Sequence, residues 1–248
     1  MSDNTETTDF GFRQVPRAEK RGMVRAVFDR VAPRYDLMND LMSLGVHRAW
    51  KRVLVTALDP SPRRMLLDLA GGTGDVGLAW LEQGGGPLLL SDVNASMLAI
   101  ARDRALERGL IGGASPLVAD AERLPLADRT VDRVSIAFGL RNCTDRAAVL
   151  AEARRVLRPG GRFFCLEFSR MQVAVLQPAY DTWSFRVLPL LGRLVARDEA
   201  SYRYLAESIR TFPDQDKLAD MLRQAGFARV NVRNLSGGIV AIHSGWRL

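Results

Sequence analysis

The chain has 248 residues, 47% of them hydrophobic and 25% charged, enough to bury a sizeable core as one large domain or one domain plus extensions. Two cysteines, Cys143 and Cys165, and two histidines, His47 and His243, exclude a disulfide framework and a His-rich metal site. A formal charge of +7 admits nucleic acid, anionic lipid or an anionic ligand as partner, but an arginine-rich genome composition accounts for it equally well.

Residues 1–20 are polar and aperiodic and read as a flexible tail. They lack the charged start and apolar run of a signal peptide, and no later run reaches the roughly 18 apolar residues of a spanning helix, so a cytoplasmic protein is expected. From Arg21, Val24, Val27, Phe28 and Val31 recur at helical spacing until Pro33. Leu37, Met38, Leu41 and Met42 make a second stripe. Trp50, Val53, Leu54, Ala57 and Leu58 make a third, which ends before Pro60. Core packing explains the stripes. Tyr35, Asn39 and His47 interrupt them with polar groups, as a helical cap over a ligand site, spanning 21–60, would require.

From Arg64 the pattern alternates. Apolar runs of strand type at Met65–Leu69, Leu88–Leu90, Leu117–Ala119, Val131–Phe138 and Phe163–Phe168 are separated by helical stretches. Asn94 and Asp145 are placed to cap two of these helices. Gly109 and the run Pro159-Gly160-Gly161 are placed to stop them. Strands alternating with helices predict parallel βαβ units. Residues 173–196 are apolar and aromatic but broken by Pro178 and Pro189; helices are expected over 199–211 and 214–225. Val230–Val232 and Ile239–Ile242, joined through Gly237-Gly238, predict a closing hairpin. The expected sheet is seven-stranded and mostly parallel, with a terminal antiparallel strand.

The stretch Leu66–Asp75 combines a strand, the glycines Gly71, Gly72 and Gly74, and a helix start. Such a turn presents backbone N–H groups to a ligand, though an ordinary βα turn also favours glycine. In an open α/β sheet, ligands bind at the carboxyl edge of the strands. Asp68, Asp92 and Asp120 fall at those edges, and Asp92 lies 18 residues beyond Gly74, where an acid receives ribose hydroxyls. The turn is not Gly-x-Gly-x-x-Gly, and no Gly-Lys-Ser/Thr follows, so a dinucleotide or a P-loop nucleotide fits poorly. S-adenosyl-L-methionine fits better, being a nucleoside without phosphate. Gly71 to Gly74 would bracket its methionine portion with Thr73 as a hydrogen-bond partner; Asp120 would take the adenine amino group and the Ala121 N–H a ring nitrogen.

With Leu-Arg-Pro-Gly-Gly at 157–161, the chain resembles the class I S-adenosylmethionine-dependent methyltransferases. A narrower resemblance rests on Tyr35–Trp50, Leu69–Asp75, Phe138–Asn142, Arg155–Ser169 and Ser201–Arg210. These are similar to the ubiquinone/menaquinone biosynthesis C-methyltransferases over about residues 20–248. The resemblance implies a Rossmann-like fold with N-terminal and post-strand-5 helical caps, the latter an insertion over 173–211 covering the active site. It implies methylation of 2-polyprenyl-6-methoxy-1,4-benzoquinol, demethylmenaquinol or both. Cofactor contacts carried over are Asp68, Gly71, Gly72, Thr73, Gly74, Asp92, Val93, Asp120, Ala121 and Ala137. Ala137 stands where relatives often have Ser, which removes one hydroxyl contact, and Arg158 replaces a frequent Lys. No metal and no nucleic acid is implied.

Such a reaction needs an ionised phenol beside the acceptor carbon, and an unperturbed phenol titrates near pH 10. Arg141, which follows the fourth strand, is the candidate to stabilise the phenolate; the alternative is a salt bridge to Asp145 or Glu167. Asn142 would orient the quinol oxygen, Tyr35 and Asn39 would close the site, and His47 or a water would take the proton. Trp183, Phe185, Leu188, Leu190 and Leu191, flanked by Arg186, Arg193 and Arg197, make a membrane-facing cap over 173–197, peripheral at the inner membrane face, or else a core or dimer segment. A homodimer or a ubiquinone-biosynthesis complex is the further partner expectation.

Overall fold

The computed structural model describes residues 6–31, 39–40, 43–173, 175, 182 and 199–248. Its elements begin with strands β1 (Thr7–Phe10) and β2 (Arg13–Pro16) and helices α1 (Arg17–Val31) and α2 (His47–Leu58). An alternating run follows: β3 (Leu66–Leu69), α3 (Asp75–Glu82), β4 (Leu88–Asp92), α4 (Ala95–Glu107), β5 (Ala114–Val118), β6 (Val131–Ala137), α5 (Arg146–Val156) and β7 (Leu157–Phe168). The chain closes with α6 (Glu199–Thr211), α7 (Gln215–Gln224), β8 (Ala228–Leu235) and β9 (Val240–Trp246).

Two compact units divide the chain, where the sequence predicts a single domain after a tail. One comprises residues up to His47 with 171–212, the other 48–170 with 213–248. In the first unit, residues expected to be a tail form the antiparallel hairpin β1–β2, turning at Gly11 (φ 61°). The correction has a tertiary cause. Phe10 stacks on Tyr204 at 4.2 Å, and the Phe12 N–H donates to Glu207 at 3.2 Å, partners far along the chain. Val24 and Val27 of α1 pack with Tyr202, Tyr204 and Leu205 of α6. Tyr35, the Leu37–Met42 stripe except Asn39 and Asp40, and the 173–197 segment except Val173, Val175 and Thr182 lie outside the described residues.

In the second unit, seven strands among the described residues form one sheet in the order β5-β4-β3-β6-β7-β9-β8. β3 pairs in parallel with β4 on one side and β6 on the other, so the strand order reverses there. β9 is the reversed strand, antiparallel to both β7 and β8. Burial explains the composition. All four residues of β3 are buried, and Val131, Arg133, Val134, Ser135 and Ile136 of β6 are buried on both faces, as in a sheet covered on two sides. The edge strands differ: β5 carries Pro116 and exposed positions, which an edge tolerates. Helix α2 sets Trp50, Leu54, Val55 and Leu58 in the core. Asn94 caps α4 through the Ser96 and Met97 N–H groups, and Asp145 caps α5 through the Ala148 N–H. Among the described residues, no helix is long and apolar enough to cross a membrane, and no cluster of His, Cys, Asp or Glu could hold a metal.

Candidate active site

In open α/β sheets a ligand crevice forms at the carboxyl edge where the strand order reverses; here that point is β3, and the glycine turn follows it. Gly72 (φ 55°) and Gly74 (φ 86°) take left-handed backbone that glycine adopts without strain. A β-carbon on Gly71 would lie 2.4 Å from Leu90 Cδ1 and 3.1 Å from Asp68 Oδ2, so that glycine is required by close approach. A β-carbon on Gly72 would meet nothing within 4 Å. The space above Gly72 is therefore open, as a cofactor cradle must be.

Asp68 lies beneath the turn and is buried. Its Oδ2 accepts the Gly77 N–H at 3.1 Å and its Oδ1 the Ser135 hydroxyl at 2.6 Å. The β3–β6 register, Asp68 opposite Ser135, places that hydroxyl. Asp68 thus ties α3 to β6 and holds the turn's shape. Burial raises its pKa from 3.8 to about 7, opposed by the bonds from Ser135 and Gly77 and by the Lys51 charge.

Raised in the folded state, this pKa favours folding at low pH. The stability it contributes is full below 3.8 and is lost as pH rises to about 7, a difference on the order of 4 kcal/mol. Asparagine can accept from Gly77 and donate to Ser135 without the charge. Asp68→Asn is therefore expected to melt above the wild type by a margin that widens from about pH 4 and levels off above about 7. A margin constant with pH in parallel melting scans would refute this.

Asp92 ends β4. Its Oδ2 accepts the Gly72 N–H at 2.9 Å and its Oδ1 the Asn94 N–H at 2.8 Å. Burial raises its pKa, against those donors. The carboxylate is fixed beside the open space at Gly72, and Val93 next to it keeps an exposed apolar surface. Asp120, after β5, accepts the Glu122 N–H at 3.0 Å and is half-buried, and Ala121 next to it is buried. A fixed acid for a diol, an apolar surface for a ring and a glycine cradle together fit S-adenosylmethionine.

Thr73 is buried, and its hydroxyl accepts from Arg104 Nη1 at 3.0 Å. Arg104 also reaches Asp75 Oδ1 at 3.1 Å, and Lys51 Nζ donates to Asp75 Oδ2 at 2.6 Å. Lys51, Arg104 and Ser135 carry no motif in the sequence. Their signal is spatial: each meets its acid across 24 to 67 residues of chain.

Across β3 from Asp92, β6 ends at half-buried Ala137, and residues 140–142 make one helical turn. Arg141 is buried and its Nη1 donates to Glu167 Oε1 and to the Phe138 carbonyl, both at 2.6 Å. Of the two alternatives for Arg141, the structure realises the ion pair with Glu167. Glu167 also accepts the Phe168 N–H at 2.9 Å. The Arg141 Nε is buried with no hydrogen-bond partner. Asn142 follows in the same turn, its N–H donating to the Gly139 carbonyl at 3.0 Å. His47 belongs to the first unit, where its Nε2 lies 2.9 Å from Asp40 Oδ1. Asn39, in the same unit, accepts the Ser43 hydroxyl on its carbonyl at 2.7 Å.

The model of the ubiE/COQ5 methyltransferase family matches residues 14–247. A ubiquinone/menaquinone biosynthesis C-methyltransferase UbiE from Acidiphilium cryptum is 68% identical, covering all of both chains. One of the same name from Bordetella avium is 53% identical over all of this chain and 96% of its own. Among solved structures, a SAM-dependent methyltransferase from Thermotoga maritima aligns with a TM-score of 0.65 at 20% identity, covering 91% of this chain and all of that one. Another from Aquifex aeolicus aligns with a TM-score of 0.61 at 16% identity, covering 86% and 98%. These two show the fold: a class I methyltransferase sheet with one reversed strand. The sheet and its strand order are thus those of an S-adenosylmethionine-dependent methyltransferase, and the chain belongs to the ubiE/COQ5 methyltransferase family.

Proposed function

We infer that the enzyme transfers a methyl group to a ring carbon of a polyprenyl quinol in ubiquinone or menaquinone biosynthesis, with 2-polyprenyl-6-methoxy-1,4-benzoquinol, demethylmenaquinol or both as acceptor. The activity named for these relatives supports this reading. The observation that carries it is the 68% identity, over all of both chains, to a ubiquinone/menaquinone biosynthesis C-methyltransferase; the buried Arg141–Glu167 pair lies across β3 from the Asp92 carboxylate, and the Arg141 Nε is left without a hydrogen-bond partner.

S-adenosylmethionine, when bound, supplies an electrophilic methyl group on a sulfonium. Asp92 takes the ribose hydroxyls, Val93 lies against the nucleoside, and Asp120 with the Ala121 N–H reads the adenine edge. Asp68 and Thr73 hold the turn Gly71, Gly72 and Gly74 in shape around the methionine portion. Ala137, lacking a hydroxyl, offers only its backbone and methyl group.

The acceptor carbon is a weak nucleophile until its neighbouring phenol ionises. Because Glu167 balances the guanidinium charge, Arg141 acts through a directed N–H rather than as a free cation. A buried donor left unpaired carries a penalty of about 1–3 kcal/mol, which a phenolate oxygen at Nε would relieve. One preorganised donor of this kind is worth roughly 10²–10³ in rate. Asn142 orients the same oxygen. The phenolic proton passes to water or to His47, and once the ring carbon carries the methyl group its own hydrogen leaves as a proton while the ring oxygen is reprotonated, which restores the aromatic quinol; Tyr35 contributes from the N-terminal segment. The apolar 173–197 segment takes the prenyl tail or meets the bilayer surface; a homodimer or a biosynthetic complex is the further assembly this reading allows.

The test is deletion of the gene and mass spectrometry of the quinone pool. Accumulation of the quinone lacking one ring methyl, restored by the wild-type gene, is the expected result. An unchanged quinone pool would refute the reading.

A further inference from the structure

Two residues with side chains hold left-handed backbone on either side of the crevice: Ala70 (φ 48°) after β3 and Phe138 (φ 57°) after β6. A bulky residue in that region is an outlier, and such strain persists where the surroundings enforce it, often at ligand sites. The two turns touch. A β-carbon on Gly139 would lie 2.6 Å from Ala70 Cβ, so glycine stands at the closest approach while an aromatic ring occupies the strained position beside it.

That ring is part of a cluster. Phe138 lies 4.9 Å from Phe168, and Trp50 lies 6.3 Å from Phe138 and edge-on to Phe168 at 6.1 Å. The indole is fixed by donating to Ser236 Oγ at 2.9 Å. Arg141 Cζ sits 5.5 Å from the Phe168 ring. Trp50 and Phe168 are buried, whereas Phe138 is half-buried and is the member that still reaches solvent. The sheet order sets the cluster apart from the nucleoside side. Asp92 and Asp120 lie at or just past the ends of β4 and β5, on one side of the glycine turn; Phe138, Arg141 and Phe168 lie at or just past the ends of β6 and β7, on the other.

We propose that the Phe138 ring, backed by Phe168 and Trp50, is the surface on which the acceptor's aromatic ring stacks, beside the Arg141 guanidinium. This rests on the quinol reading above and names the residue that positions the acceptor. Offset or edge-to-face contact with an aromatic wall suits a quinol, whose oxygens lie in the ring plane and so point past the wall toward donors at its rim. The strained backbone at Phe138 directs the ring there; a residue serving only to fill the core would not need that conformation.

The experiment uses the full chain and measures three quantities: the Kd of S-adenosylhomocysteine, the Kd of a short-tailed demethylated quinol under anaerobic conditions, and the melting temperature. Phe138→Leu keeps apolar bulk but loses the ring face, and its quinol Kd is expected to rise about tenfold. Phe138→Gly relaxes the left-handed backbone while deleting the ring. Its quinol Kd is expected to rise by about tenfold or more, with the fold retained. Phe138→Tyr keeps the ring and is expected to stay within about twofold of wild type. In all three, S-adenosylhomocysteine affinity stays within about twofold, because the nucleoside lies across β3. Unchanged quinol affinity in the Leu and Gly variants would overturn the proposal, as would parallel loss of both ligands. Failure of the wild type itself to bind or methylate any quinol would instead refute the acceptor assignment, before any variant is compared.

Discussion

Arg141→Gln is expected to lower kcat by roughly 10²–10³ while leaving S-adenosylhomocysteine affinity within about twofold. Two effects combine in that variant and have to be separated. Arg141 and Glu167 are both buried, their side chains 5% and 1% exposed, and joined at 2.6 Å. Removing one partner leaves an uncompensated buried charge, which costs about 3–5 kcal/mol. For a chain of this size that corresponds to a melting temperature lower by roughly 6–20 °C. A slower enzyme could therefore be merely a less stable one.

The paired variant Arg141→Gln with Glu167→Gln resolves this. It removes both charges together and lets the two amides hydrogen-bond, so most of the lost stability returns. If Arg141 donates to the acceptor oxygen, turnover stays low in the stable double variant. Arg141→Lys adds a second control. Lysine can keep the charge opposite Glu167, but a single ammonium cannot hold Glu167 and the Phe138 carbonyl while presenting a separate Nε–H. Its kcat is expected to fall at least about tenfold with a near-normal melting temperature. A double variant that turns over at the wild-type rate would show that Arg141 serves the fold alone.

How far the site was legible in the sequence depends on how far apart its parts lie along the chain. Gly71, Gly72, Gly74 and Asp92 fall within one strand–turn–helix–strand unit, so periodicity and spacing placed them, and the Asp92 bond to the Gly72 N–H follows from that short connection. Arg141 was legible as a candidate, but its partner was not decided. Choosing Glu167 over Asp145 requires the β6–β7 register, which sets Ala137 beside Leu166 and brings the Phe138 N–H to the Leu166 carbonyl. Ser135 and Asp68 are 67 residues apart and meet only because β6 lies next to β3. The hairpin at residues 7–16 has no signal in its own largely polar sequence. Its stabilising contacts, Tyr204 and Glu207, come from the other end of the chain. The left-handed turn at Phe138 had no signal at all, since aromatic residues do not favour that conformation.

Asp92→Ala is expected to weaken S-adenosylhomocysteine binding by roughly 10²–10³. A carboxylate that accepts two ribose hydroxyls makes charge-assisted bonds worth about 1.5–3 kcal/mol each. The carboxylate is also what holds the Gly72 and Asn94 N–H groups, at 2.9 and 2.8 Å, so the variant disturbs the turn as well as the diol. Asp92→Asn does not escape. Its amide has one oxygen for two backbone donors, so its NH2 must oppose one of them, and affinity is expected to fall at least about tenfold. The contribution of the diol alone is read with a 2′-deoxy analogue of S-adenosylhomocysteine. Wild type should discriminate against it, because the half-buried acid then loses a hydroxyl, whereas Asp92→Ala should bind both analogues alike. Burial raises the Asp92 pKa, so acidification should weaken wild-type binding before an ordinary aspartate would titrate, and leave the Ala variant unaffected in that range. Equal discrimination by wild type and Asp92→Ala would move the ribose contact to another residue and leave Asp92 as the anchor of the glycine turn.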